Sequence, residues 1–148
     1  MSPITRFLDG SGVDGAGRTH ADVLALPDRQ LEARHDFIQW LFPLPEASAA
    51  VPGSPVLTDA DVRAIRASPA AQAALRAGAE RMLAFYRAAT HWLVPFDHNH
   101  LRITRIVRSL RLLVGDAEAD RFRAAVLERV QTVGAPVNAR SLAYWAEA

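Results

Sequence analysis

Residues 35–44 contain six large apolar side chains out of ten. Apolar positions continue at helical spacing back to Leu31, while polar residues gather on another side of the same segment. The pattern predicts a helix over 28–42 with Asp28 as its N-cap and Pro43 at its end. A buried strand over 37–42 is the alternative, and the polar face favours the helix. Because a helix that is apolar on almost every side must be buried, we expect it at the centre of the fold.

Further helices are predicted where apolar residues recur every third or fourth position and capping residues mark the ends. These segments are 20–26 after Thr19, 59–67 after Thr58, 69–89 after Ser68, 98–114, 117–133 after Asp116 and a last helix after Asn138 that runs through Trp145. Thr58 and Asp61 have the spacing of a capping box. Residues 9–18 hold four glycines and are expected to form a loop before the first helix. No strand or hairpin signal is recognised.

The predicted fold class is therefore all-α, a single compact domain of about six or seven helices. The chain has 148 residues, half of them hydrophobic, which is enough for one buried core. Residues 1–18 are expected to be a flexible N-terminal segment, and residues 116–148 to form the C-terminal helices. The 28–42 helix is expected to pack against the 98–114 helix.

The amino-acid composition limits the possible cellular compartment and the possible kinds of site chemistry. The chain has no cysteine, which excludes disulfides, thiol catalysis and thiolate metal sites. It has neither the apolar core of a signal peptide nor the roughly 18 uninterrupted apolar residues of a membrane span. We expect a soluble, cytoplasmic protein. All seventeen basic residues are arginine, which together with abundant alanine indicates a GC-rich coding sequence of bacterial type.

Charge is distributed unevenly, although the formal net charge is only +1. Residues 1–57 carry four arginines and seven acidic residues, residues 58–111 nine and four, and residues 112–148 four and five. A moderately basic middle could face an acidic partner. The excess is too small for a nucleic-acid-binding domain, so no nucleic acid is expected as a partner.

Two ordered blocks identify a family. They are His35-Asp36-Phe37-Ile38-Gln39-Trp40-Leu41-Phe42-Pro43 and His98-Asn99-His100-Leu101-Arg102-Ile103-Thr104-Arg105-Ile106. Together they resemble the two signature blocks of the conserved domain of the opioid growth factor receptor family. The segment 55–58 and the Phe85-Tyr86 pair are similar as well, so the resemblance spans about residues 7–115. His100 departs from the pattern, because an aromatic residue is common there in the animal proteins.

The resemblance implies a helical, receptor-type domain that is found at the N-terminal end of the animal receptors and alone in short microbial proteins. Animal members bind the pentapeptide enkephalin and act at the nucleus and its membrane. Any membrane association of this chain would be peripheral. No cofactor is expected.

The candidate ligand-binding residues lie in these two blocks: His35, Asp36, Gln39, Trp40, His98, Asn99, Arg102 and Arg105. His35 lies on the apolar face of the predicted helix, so we expect it to be partly buried with a hydrogen-bond partner, or to hold a ligand amide or carboxylate. Arg102 borders an apolar face near a helix N-terminus, where it would suit a carboxylate or phosphate, or pair with Asp36. Trp40 belongs either to a second core layer or to a pocket wall.

A metal site in the segment 97–100 is not predicted. Its imidazoles and carboxylate are zinc ligands by type. However, two histidines at i and i+2 point about 200° apart on a helix and cannot converge on one ion. Asp97 or Asn99 is instead expected to cap the helix.

The sequence favours non-catalytic, receptor-like binding of a small molecule or peptide in a cleft bordered by His35, Trp40, His98 and Arg102. A hydrolase that uses His35 or His98 with Asp36 in acid–base chemistry is the alternative, although no motif supplies a nucleophile. A protein interaction module that uses the basic middle is a third hypothesis.

Overall fold

Nine helices and no strand make up the regular structure in the computed structural model, which describes residues 1–148, and the predicted all-α class is confirmed. The helices are α1 (Pro3–Asp9), α2 (His20–Leu24), α3 (Asp28–Ala33), α4 (Ile38–Leu41), α5 (Asp59–Ala67), α6 (Pro69–Ala88), α7 (Asn99–Leu113), α8 (Asp116–Val133) and α9 (Ala139–Glu147). None of them combines the length and the apolar character needed to cross a membrane.

Local capping chemistry explains most helix starts. Thr19 and Thr58 each accept from the backbone N–H three residues on, and Asp22 and Asp61 accept from the backbone N–H of Thr19 and Thr58 in return. These reciprocal bonds satisfy donors that a helix N-terminus leaves open. Asn138 caps α9 by accepting from the Ser141 N–H at 2.8 Å. The predicted N-cap at Asp116 is wrong by one residue, because Asp116 is already the first residue of α8.

The predicted continuous helix over 28–42 is wrong, because the chain leaves helical geometry between α3 and α4. Arg34 is extended, with φ −91° and ψ 141°. Asp28 is the first residue of α3, which Pro27 precedes without a side-chain cap. The break falls in the exposed residues 34–36, after which Phe37, Ile38, Leu41 and Phe42 are all buried. A straight helix would send some of these side chains to solvent, and the break avoids that exposure.

The N-terminal helix α1 was not predicted. Ser2 caps it by accepting from the Thr5 N–H, and Gly10 ends it with φ 87°, a left-handed conformation that favours glycine. Ile4, Phe7 and Leu8 are buried. With seven residues, α1 is too short to give a recognisable apolar period.

The chain forms two compact units, Met1–Gly78 and Ala79–Ala148. In the first unit α1 packs against α4 and α5. Its core consists of the side chains of Phe7, Leu8, Val23, Leu31, Phe37, Leu41, Phe42, Ile65 and Leu75.

His20 lies half-buried in the first unit. Its ring meets the edge of Phe7 at a centroid distance of 5.6 Å and lies about 4 Å from where a Cβ on Gly78 would stand. Its buried Nε2 has no hydrogen-bond partner. Desolvation lowers the pKa of His20 and outweighs a hydrogen bond with the Ala74 backbone, which acts in the opposite direction.

In the second unit α7 packs against α8 and α9. The predicted apolar stripe of α7 is confirmed, since Ile103, Ile106, Val107, Leu110 and Leu113 are at most 1% exposed. Trp145 of α9 is fully buried, and its indole N–H donates to the His100 carbonyl at 2.9 Å. Trp145 thus stabilises the position of α9 both by packing and by a hydrogen bond.

Replacement of Trp145 should therefore loosen the second unit. We expect Trp145→Ala to lower the free energy of unfolding by about 3–5 kcal/mol, measured by chemical denaturation, because it leaves a large cavity. Tyr144→Ala removes a 41% exposed neighbour from the same helix and should cost about 1 kcal/mol or less. Equal losses in the two variants would contradict this packing.

The lowered pKa of His20 predicts a pH dependence of stability. The unfolded chain binds a proton below the ordinary pKa of 6.5, whereas the folded chain resists it, so stability falls as the pH drops below 6.5 toward the folded pKa. His20→Gln should flatten this part of the profile of unfolding free energy between pH 7.5 and 5. An unchanged slope would show that His20 titrates alike in both states.

Candidate functional site

The second signature block begins with a buried polar junction. The Asp97 carboxylate accepts from the Asn99 N–H at 2.9 Å and from the Asn99 side-chain amide at 2.8 Å. The side-chain amide oxygen of Asn99, Oδ1, accepts from the Tyr86 hydroxyl at 3.2 Å. The predicted cap by Asp97 or Asn99 is wrong in position, because His98 is the N-cap of α7 and makes no side-chain capping bond. The fully buried Asn99 instead joins the start of α7 to the end of α6.

His100 extends the junction to α9. Its Nε2 donates to the Trp92 carbonyl at 2.8 Å, and its Nδ1 lies 3.4 Å from the Ser141 hydroxyl. The Trp145 indole meets the His100 ring at a centroid distance of 5.7 Å, nearly perpendicular to it. Trp92 is held in turn, because its indole N–H donates to the Tyr86 carbonyl at 3.0 Å. Both ring nitrogens of His100 thus face protein groups.

Two large apolar side chains lie exposed beside this junction. Phe96 is 80% exposed and Leu101 is 67% exposed. His98, Leu101 and Arg105 follow one another at i, i+3 and i+7, so they share one face at the start of α7. The His98 side chain is 42% exposed, and its Nδ1 lies 3.8 Å from the Asp97 carboxylate. We name Phe96, His98, Leu101 and Arg105 the α7 entry surface.

The four predicted residues of the second block therefore differ in accessibility. His98 is exposed and Arg105 partly exposed, whereas Asn99 and Arg102 are buried. Sequence reasoning did not select Phe96 or Leu101. The available signal was that Leu101 falls outside the apolar stripe of α7, so a leucine at that position has no core to enter.

In the first block, Asp36 is tied to the glycine-rich loop. Arg18 donates to the Asp36 carboxylate at 2.9 Å and, through its Nε, to the Asp14 carboxylate at 2.8 Å. Burial of the Arg18 guanidinium works against its charge, but these two carboxylates raise the pKa of Arg18 on balance. The buried Asp14 also accepts from the backbone N–H of Ala16 and of Arg18. Asp36 thus anchors a folded loop at the break between α3 and α4.

Trp40 and Gln39 lie beside this anchor. The Trp40 ring meets the edge of Phe7 at a centroid distance of 5.6 Å, and a Cβ on Gly15 would stand 3.7 Å from it. The loop therefore partly covers the indole, which is half-buried. Gln39 is buried at 4% exposure, and its side-chain oxygen has no hydrogen-bond partner.

His35 is exposed, so the expectation of partial burial on an apolar helix face is wrong. The break between α3 and α4 removes it from the helical register that would have aligned it with Leu31 and Ile38. No local sequence signal marks this break, because its anchor Arg18 lies eighteen residues before Asp36.

Comparison with known proteins matches part of this chain to a family. Residues 27–91 match the family model of the opioid growth factor receptor (OGFr) conserved region. The opioid growth factor receptor of Rattus norvegicus is 38% identical over 98 residues, which covers 54% of this chain and 17% of that protein. The opioid growth factor receptor of Homo sapiens is 33% identical over 115 residues, which covers 66% of this chain and 16% of that protein.

This chain spans 15% to 17% of the length of the curated relatives it matches. No solved structure matches it at a significant level. The matched segment 27–91 includes all of the first block. The predicted resemblance to the opioid growth factor receptor family is thus confirmed, and residues 27–91 match the conserved region of that family.

Proposed function

We propose that this domain binds a small molecule or a short peptide without transforming it, in the manner of a receptor. The α7 entry surface carries the proposal. Isolated exposed apolar side chains are common, but Phe96 and Leu101 lie five residues apart in a segment that also contains the His98 imidazole and the Arg105 guanidinium. Such a surface can bury an apolar ligand group and recognise a carboxylate at the same time.

The buried junction supports this proposal by fixing the position of the surface. His98 and Leu101 flank Asn99 and His100, whose side chains bond to groups from α6, the 89–98 loop and α9. A binding group on a fixed backbone loses little conformational entropy when a ligand arrives. The fitting ligand therefore has one apolar or aromatic group and one carboxylate, as a peptide with a free C-terminus does.

The hydrolase alternative conflicts with an ion pair of this fold. It uses Asp36 as the acid–base partner of a histidine, but the Asp36 carboxylate is bonded to Arg18 and that bond helps to anchor the 10–18 loop. Proton transfer through Asp36 would perturb this pair, which disfavours Asp36 as the acid–base group of a hydrolase.

A peptide titration tests the proposal. Apolar tripeptides with a free C-terminal carboxylate, and the same peptides as C-terminal amides, are titrated into ¹⁵N-labelled protein. We expect the carboxylate forms to shift amide resonances of residues 96–105 and the amide forms to bind more weakly, because His98 and Arg105 lose an anionic partner. Leu101→Ala should weaken binding about tenfold, since about 1.5 kcal/mol or more of apolar burial is lost.

Val133→Ala is the matched control, since it shortens a 46% exposed apolar side chain on α8. Its affinity should equal that of the unmodified chain. Shifts that map away from residues 96–105, or equal effects of the two substitutions, would contradict the proposal. Mass spectrometry of the peptides after incubation separates the alternatives, because cleavage would support the hydrolase.

A further inference from the structure

A pocket of about 200 Å³ opens in the second unit between the end of α6 and the second half of α8. Arg87 comes from the last turn of α6, and Glu128, Arg129 and Thr132 lie along one face of α8. No residue of the two signature blocks lines it. The pocket is therefore separate from the α7 entry surface.

Arg129, one of the residues that line this pocket, has one side-chain donor without a hydrogen-bond partner. Its Nε is buried and has no acceptor. Other arginines of the same helix have acceptors within the chain: Arg121 bonds to Glu80 and Glu118, and Arg123 bonds to Asp120 and to the carbonyls of Trp145 and Ala146. Because a buried donor without an acceptor is unfavourable, an acceptor supplied from outside the chain would stabilise the Arg129 guanidinium.

The helix ends near the pocket do not supply that acceptor. At the end of α6 the Phe85 carbonyl accepts from the Ala89 N–H, and the Tyr86 carbonyl accepts from the Trp92 indole. At the end of α8 the carbonyls of Val130 and Gln131 accept from the backbone N–H groups of Ala135 and Gly134. Two of the last four carbonyls of each helix are therefore already occupied.

Two guanidiniums and a hydroxyl around one pocket define the class of ligand. Arginine has five N–H donors and no acceptor, and its planar fork matches the oxygens of a carboxylate or a phosphoryl group. Arg87 and Arg129 carry two positive charges against the single carboxylate of Glu128. We propose that this pocket binds the oxyanion group of a small molecule between Arg87 and Arg129, with Thr132 as an additional donor.

Glu128 indicates that the ligand is larger than a bare ion. A carboxylate at the wall disfavours a second negative charge, but it accepts hydrogen bonds from a hydroxyl or ammonium group. The space also exceeds the roughly 30 Å³ that one water occupies in the liquid by several times. The expected ligand is therefore an oxyanion with a neighbouring donor, such as a hydroxylated phosphate monoester or an amino acid.

Calorimetric titration of the full chain with inorganic phosphate, glycerol 3-phosphate and glycine tests the proposal and separates a phosphoryl group from a carboxylate. We expect at least one of the three to bind with one-to-one stoichiometry. Arg129→Gln and Arg87→Gln should each weaken that binding by about tenfold or more, because a charge-assisted hydrogen bond is lost. Arg140→Gln removes the same charge from an exposed position on α9 and should leave the affinity within about twofold.

Glu128→Gln gives a change in the opposite direction, because loss of the wall carboxylate should strengthen the binding of inorganic phosphate several-fold. The bound ligand should raise the Tm of the unmodified chain but not that of Arg129→Gln. If none of the three probes binds at 20 mM, or if Arg140→Gln weakens binding as much as Arg129→Gln, the pocket is not an oxyanion site. The Arg129 Nε then serves only to hold water.

Discussion

The hydrogen bonds around Asn99 and His100 are the constraint on which the second unit depends. Between α6 and α7 the chain follows no regular structure, so its buried polar groups need partners from side chains. These partners include the side chains of Tyr86, Asp97, Asn99 and His100. Trp145 then closes the arrangement from α9, since its indole bonds to the His100 carbonyl. Three helices are fixed by groups that lie within the first two residues of α7.

The geometry of a helix explains how the same block can hold the fold and present a binding surface. Successive residues turn by about 100°, so Asn99 and His100 can point inward while His98 and Leu101 point outward. The inward residues are saturated by internal bonds. The outward residues are the exposed Leu101 and the exposed His98, whose Nε2 lies 3.4 Å from the Asn99 side-chain nitrogen. The second block therefore contains both buried residues that stabilise the fold and exposed residues that can contact a ligand.

What the sequence predicted well depends on contacts within a few residues. The cap at Thr19, the capping box at Thr58, the cap at Asn138 and the apolar stripe of α7 all follow from local spacing, and all are confirmed. The family was recognisable because two ordered blocks lie at a compatible distance along the chain.

What the sequence did not predict depends on contacts between distant residues. The break between α3 and α4 is anchored by Arg18, which belongs to a loop before α2. Local periodicity does not record such a bond, so the pattern over 28–42 was interpreted as one helix and His35 as partly buried. The pocket between Arg87 and Arg129 could not be predicted from the sequence either, because two arginines forty-two positions apart share no motif. The buried Nε of Arg129 could be recognised only in three dimensions.

The central claim is that the start of α7 is held by mutually dependent side-chain hydrogen bonds. A double-mutant cycle on Tyr86→Phe and Asn99→Ala, read as the free energy of unfolding in denaturant, tests it most directly. Since the Tyr86 hydroxyl donates to Asn99, each single change should destabilise the chain, and the double change should cost about 1 kcal/mol less than the sum. Strict additivity of the two losses would contradict the account, because the two groups would then not depend on each other.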